Sequence, residues 1–234
     1  MDKSSIYRIG KASSCPTCCS RLLAVFLFLS AAVYLRALPA PDQSAAPPNE
    51  GSLPSQSPHG QKLKIAGIHN AGKISDYLYR GAQPKETGLS ELMKLGITTI
   101  VDLRREDREK IAWERKRAES LGMRFVNIPV GGWSPPTDDQ VAQFLSLFRS
   151  EPGQKVFVHC WFGDDRTGVF TAVYRMAFEK WPAEQAIKEM YFFGFNGLWH
   201  PSMKKFVHDF PARLNSAPGL ARLRAPTSPT LIGP

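Results

Sequence analysis

Between residues 62 and 215, short β-rich apolar runs alternate with stretches of helical periodicity. Residues 78–80 (LYR), 97–103 (ITTIVDL), 124–130 (RFVNIPV) and 155–159 (KVFVH) read as strands, because β-branched and aromatic residues fill them without helical spacing. Residues 86–95 read as a helix ended by Gly96, and the charged stretch 106–121 as a second ended by Gly122. A third is predicted over 137–149 (TDDQVAQFLSLFR), with Thr137 or Asp138 as its N-cap. Further helices are predicted over about 167–180 and 183–193, with a last one near 202–214. Strands alternating with helices build parallel βαβ units, so the expectation is a single α/β domain with a central, mostly parallel sheet flanked by helices.

Before residue 62 the pattern is different. Residues 1–21 are polar, with Lys3, Arg8, Lys11 and Arg21 against a single acid, Asp2, and residues 22–35 (LLAVFLFLSAAVYL) are mostly apolar until Arg36 closes the run. Fourteen residues suit the apolar core of a signal peptide and fall short of the roughly 20 a membrane span needs. Leu38-Pro39-Ala40 is a poor small-x-small cleavage site, so a signal peptide and an uncleaved signal-anchor both stand for residues 1–38. The basic flank precedes the apolar run, which places the following chain outside the cytoplasm, exported or membrane-anchored through that segment. Cys15, Cys18 and Cys19 lie just ahead of the run; with no second ligand pair nearby they read as incidental thiols rather than a zinc site. Residues 39–61 read as a Pro/Ser-rich linker, 62–215 as the folded domain and 216–234 as a flexible, Pro-rich tail.

Composition narrows this picture only a little. With 234 residues, 43% hydrophobic and 22% charged, the chain is neither disordered throughout nor a disulfide-dense miniprotein. The net charge of +9 invites an anionic partner, but 23 basic and 18 acidic residues in 62–214 leave that region mildly basic at +5. No nucleic-acid module is visible. The run from Arg104 to Arg117 mixes basic residues with Glu106, Asp107, Glu109 and Glu114, which reads as a solvated helix face. Tyr191, Phe192, Phe193 and Phe195 read as core or pocket wall.

The chemistry concentrates in residues 159–168, HCWFGDDRTG, where a buried strand ends and a helix begins. A cysteine followed by five residues and an arginine in that context makes an anion cradle. The loop's N–H groups point inward, the helix N-terminus adds a positive end, and Arg166 presents a planar fork to two oxyanion oxygens. Gly163 lets the loop turn where a Cβ would obstruct it, and Gly168 permits close helix packing. The same field favours a thiolate at Cys160, which makes it a nucleophile.

This segment resembles the signature of the cysteine-dependent phosphatases, the superfamily of protein tyrosine and dual-specificity phosphatases. Residues 79–84 (YRGAQP) and 101–104 (VDLR) look like strands of the dual-specificity branch, and the resemblance spans about residues 74–200. It implies a dual-specificity-phosphatase-like fold and hydrolysis of phosphotyrosine in proteins, with phosphoserine and phosphothreonine as further substrates. The reaction would run through a phosphocysteine on Cys160, stabilised by Arg166, with no metal and no cofactor. Thr167 would hydrogen-bond the sulfur, and His159 would orient the loop. A general acid is needed for the leaving oxygen. Asp165 matches the Gly-x-Asp-Arg-Thr-Gly string of a subset of relatives; Asp138 and Asp139, on the loop before the helix at 137–149, are the competitors and also suit a helix start. Asp164 stands where relatives often carry a basic residue, which disfavours a highly charged inositol polyphosphate. Trp161 and Phe162 either stack on an aryl phosphate at the pocket mouth or pack on neighbouring loops. A lipid or other small phosphomonoester is the alternative substrate; an inactive phosphate-binding module is the alternative to an enzyme.

Overall fold

The computed structural model describes residues 58–150 and 153–224. The apolar run, the three N-terminal cysteines and most of the linker lie outside the described residues. Among the described residues, no helix is long and apolar enough to cross a membrane.

Six strands form one sheet in the order β1-β2-β3-β6-β4-β5. They are β1 (Gln61–Lys62), β2 (Gly72–Lys73), β3 (Leu78–Gly81), β4 (Thr99–Asp102), β5 (Arg124–Asn127) and β6 (Val156–His159). Strands β3, β6, β4 and β5 run parallel, while β1 and β2 extend the sheet antiparallel from β3. The helices are α1 (Glu86–Lys94), α2 (Arg108–Ser120), α3 (Asp138–Ser150), α4 (Asp165–Phe178), α5 (Ala183–Phe192), α6 (Pro201–Ser216) and α7 (Ala221–Arg224).

Strand alternation divides the core in two. Leu78, Val101, Val156 and Val158 face a large cluster built with α3, α4, α5 and α6. Tyr79, Ile100 and Phe157 point the other way, onto Leu89 and Leu92 of α1 and Ile111 and Ala118 of α2. Every residue of β3, β4 and β6 is therefore buried, which is why these strands read as continuous apolar runs. α4 is covered almost all round, with residues 166–176 buried, so it shows no polar face.

Some details depart from the sequence reading. At α3 the structure selects Thr137 from the two N-caps the sequence offers: its hydroxyl accepts from the Gln140 N–H (3.2 Å) and its own N–H donates to Gln140 Oε1 (2.8 Å), a reciprocal capping box. The fold begins before Lys62, because Gln61 is already in the sheet and the Gly60 N–H donates to the buried Glu189 Oε1 at 2.6 Å. It also continues past Asn215: α6 runs to Ser216, a 3-10 turn follows at Pro218–Leu220, and Leu220 is fully buried against the main core. The basic stretch is not uniformly solvated either, since Arg104 and Glu114 are completely buried. Of the aromatic stripe, Phe193 and Phe195 join the core whereas Tyr191 and Phe192 are exposed.

Candidate active site

The parallel strands β3, β6 and β4 end side by side, and the loop after β6 closes over their carboxyl ends, the place where open α/β sheets expose binding groups. Cys160 leaves β6 as the first loop residue and is almost wholly buried. Gly163 takes φ +79°, and a Cβ there would lie 2.5 Å from the Gly81 carbonyl carbon. The loop thus rests directly on the end of β3, and only glycine fits. From below, the Arg80 guanidinium donates to the Gly163 carbonyl and stacks on Phe193, 4.2 Å from the ring centroid. Arg80 is fully buried; that burial pulls its guanidinium down to about 10 against the opposing pull of Cys160, Glu189 and Asp164.

Arg166 opens α4 and is anchored on one edge. Its Nη1 donates to Glu106 Oε2 (3.0 Å) and to the Val130 carbonyl (3.2 Å), and its Nη2 donates to Glu106 Oε1 (2.8 Å). These bonds leave Nε–H and one Nη2 hydrogen, the side edge of the fork, for an oxyanion. Burial alone would lower Arg166; the Glu106 carboxylate outweighs it and holds the guanidinium above its ordinary value. Glu106 in turn is held below the usual carboxylate range, the Arg166 bonds overcoming its burial.

Beneath the cysteine lies a buried charge network. His159 Nδ1 sits 3.1 Å from the Cys160 carbonyl oxygen and its Nε2 sits 2.7 Å from Glu114 Oε1. Arg104 bridges Asp102 (2.8 Å) and Glu114 (2.7 Å). Burial would lower the His159 imidazole, but the Glu114 and Asp102 carboxylates raise it to about 9. Asp102, Glu114 and His159 lie close enough together to hold a metal ion. Both carboxylates already serve the Arg104 guanidinium, so the donor set is that of an ion-pair network.

The predicted loop acids separate. Asp165 lines the cavity above Cys160, where its Oδ1 accepts from the Asn196 N–H (3.1 Å) and its Oδ2 lies 3.2 Å from His200 Nε2. Asp164 accepts from Asn70 Nδ2 at 2.6 Å, and its half-burial, then its neighbour Asp165, raise it above the usual carboxylate range. Asp138, the first residue of α3, is instead paired with Arg213 of α6, both of its oxygens accepting at 2.9 Å. Neither Asp138 nor Asp139 lines the cavity. Thr167 is fully buried, and its hydroxyl has no hydrogen-bond partner among the described residues. Gly168 packs against Met190, where a Cβ would come within 3.4 Å of Cγ, so α4 and α5 approach closely.

The cavity encloses about 580 Å³. Its mouth is aromatic: Trp133, Phe162 and Trp199 are each two-thirds exposed, and Trp133 stacks on Trp199 at 6.3 Å. Trp161 lines the wall with the Lys110 ammonium 4.8 Å from its ring. Arg80, Glu106, Asn70 and His200 escaped the sequence reading as site residues. Arg80 alone carried a signal, a charged residue inside a strand buried on both faces.

Comparison with known proteins places this architecture. Residues 66–204 match the family described as DSP-PTPase phosphatase fused to NAD+ kinase. The chain is 31% identical over 130 residues to the dual specificity protein phosphatase TpbA of Pseudomonas aeruginosa (strain UCBPP-PA14), covering 54% of this chain and 55% of that one. It is 28% identical over 127 residues to dual specificity protein phosphatase 26 of Rattus norvegicus, covering 52% and 58%. The chain thus spans little more than half the length of these curated relatives. The crystal structure of P. aeruginosa TpbA shares the fold, with a TM-score of 0.52 and 24% identity over 66% of this chain and 96% of that one. Its complex with pTyr gives 0.53 and 22%, over 68% and 98%. With the family matched across five of the six strands, the loop at 159–168 and most of the helices, the chain belongs to the DSP-PTPase phosphatase family.

Proposed function

We propose that this domain hydrolyses phosphomonoesters, phosphotyrosine in proteins foremost, through a phosphocysteine on Cys160. The observation that carries this reading is Cys160 on a cavity wall shared with Arg166, whose Nε/Nη2 edge is left open for an oxyanion. The naming of both curated relatives as dual specificity protein phosphatases, and the pTyr complex of TpbA, support the substrate class. The aromatic mouth suits an aryl ester. The cavity wall carries two cations, Arg105 and Arg166, against three acids, Glu106, Asp164 and Asp165, which disfavours a polyphosphorylated substrate.

The Cys160 thiolate attacks phosphorus in line with the leaving oxygen. The S–P bond forms as the P–O bond breaks, and the three equatorial oxygens rest on the loop amides and the Arg166 fork. Asp165, inside the cavity, gives its proton to the leaving oxygen; Asp138 and Asp139 are outside it. Water then attacks the phosphocysteine, and the Thr167 hydroxyl, with no other partner, bonds the departing sulfur. His159 works beneath the loop as a cation that donates to the Cys160 carbonyl.

A panel of phosphotyrosine, phosphoserine and phosphoinositide substrates tests the proposal on wild type and Cys160→Ser. Turnover of a phosphotyrosine peptide, abolished in Cys160→Ser while vanadate or phosphate binding survives, is the expected result. Wild-type protein that binds phosphate analogues without turning over any ester would leave only a binding module.

A further inference from the structure

His200 is a buried titratable group to which the reaction above assigns no role. It stands at the N-terminus of α6, wedged between Trp133 (4.8 Å between ring centroids) and Phe195 (6.4 Å). Only 7% of its surface is exposed, and that surface faces the reaction cavity. Its Nε2 lies 3.2 Å from Asp165 Oδ2, while its buried Nδ1 has no hydrogen-bond partner among the described residues. The other oxygen of Asp165 is fixed by the Asn196 N–H, so the carboxyl is gripped from both sides by the segment that leads into α6. The remaining charged groups of the cavity are Cys160, Asp164 and Arg166 on the loop and α4, and Arg105 and Glu106 across from them. Lys204, one turn along α6, instead carries its ammonium over Tyr191, 5.7 Å from the ring.

We propose that His200 is the positioning and proton-holding partner of Asp165, so that the two share the proton that the leaving group takes. This rests on Asp165 being the general acid. In the first step the Asp165 carboxyl gives its proton to the leaving oxygen as the P–O bond breaks and the S–P bond forms. In the second, water forms the new P–O bond, the S–P bond breaks, and the water proton passes to the Asp165–His200 pair. A pair titrates as a unit, and an imidazole ordinarily keeps a proton to higher pH than a lone carboxyl does. Among the described residues the buried Nδ1 has no competing acceptor or donor, which leaves the imidazole answering to Asp165.

The test compares wild type, His200→Gln, His200→Asn and Asp165→Asn on a phosphotyrosine peptide and on p-nitrophenyl phosphate, whose leaving group needs little protonation. General acids are typically worth 10²–10⁴-fold; losing only the partner should cost the peptide reaction about tenfold or more, and at least about fivefold more than the p-nitrophenyl reaction. The alkaline limb of kcat/KM should move to lower pH in both His200 variants, although glutamine and asparagine can still donate to Asp165. Wild-type limbs and equal losses on both substrates in these variants, with Asp165→Asn impaired on the peptide, overturn the role of His200 alone. Wild-type turnover of the peptide by Asp165→Asn overturns the acid itself, and the pair with it. Should the His200 variants not fold, NMR titration of the His200 ring in wild type and Asp165→Asn decides. A displaced titration in Asp165→Asn supports the pair, and an identical one refutes it.

Discussion

Replacing Glu106 with glutamine tests whether that carboxylate prepares Arg166 or obstructs it. Glu106 holds both terminal nitrogens of the guanidinium, at 3.0 and 2.8 Å, and the Val130 carbonyl holds Nη1 as well. Those contacts fix the plane of the fork and leave its Nε/Nη2 edge unengaged in a residue that lines the cavity. Glutamine keeps one acceptor and loses the charge and the second bond. Hydrogen bonds to charged groups are worth about 1.5–3 kcal/mol, but Glu106 is 45% exposed and solvent screens it, so about 1–2 kcal/mol is the reasonable cost. If Arg166 must be held to meet the transition state, kcat/KM for a phosphotyrosine peptide falls by about 5- to 30-fold. Vanadate affinity, read by calorimetry, should weaken in the same proportion. The opposite outcome has an equally clear physical meaning. A carboxylate that competed with phosphate for the fork would give, on removal, tighter vanadate binding and a lower KM. Either that gain or an unchanged kcat/KM refutes the reasoning.

Two further outcomes follow from the same coordinates. Gly163→Ala places a Cβ 2.5 Å from the Gly81 backbone at φ +79°, with no flexible side chain to yield; a loss of about 3 kcal/mol in a urea titration is expected, and a loss under about 0.5 kcal/mol would refute the tight seat of the loop. His159, raised to about 9 in the fold by Glu114 and Asp102 against its burial, contributes stability that is full below its unfolded value of 6.5 and is lost as pH rises through 9. The urea midpoint should therefore fall between pH 6.5 and 9.5 in wild type more steeply than in His159→Gln, and parallel curves would show that the imidazole is not protonated in the fold.

Strands and helices were legible because the central strands β3, β4 and β6 are buried on both faces and their short apolar runs are set apart from the helical stretches. The boundaries moved by one to three residues where capping decided them, as at Thr137. β1 and β2 left no trace, since two-residue strands have no periodicity to read. Within the site, the contiguous loop at 159–168 was visible because fixed spacing along the chain reports on one turn round an anion. Glu106 and His200 reach the same cavity from sixty residues before Arg166 and thirty-four after it. Nothing local distinguishes Glu106 from the other acids of its charged stretch. His200, between Trp199 and Pro201, carries no spacing rule either. Only the packing of α6 against α4 brings it to Asp165.

The loop carries two consecutive acids where an anion is to bind, and the structure shows how this is tolerated. Asp164 lines the cavity beside Asp165, but its carboxylate is engaged by a neighbour. It accepts from the Asn70 amide, and half-burial, then the adjacent Asp165, raise it above the usual carboxylate range. Asp165 is tied back to His200 and Asn196. From below, Arg80 donates to the Gly163 carbonyl, and His159, raised to about 9 by Glu114 and Asp102 against its burial, lies against the Cys160 carbonyl. Two carbonyls of the loop, those of Cys160 and Gly163, are thereby engaged by buried side chains. Net charge along the loop, as read from sequence, is then a poor guide to the field at the sulfur. The decisive charges come from β3 and β6, and their low-dielectric setting makes each count for more than an exposed aspartate does.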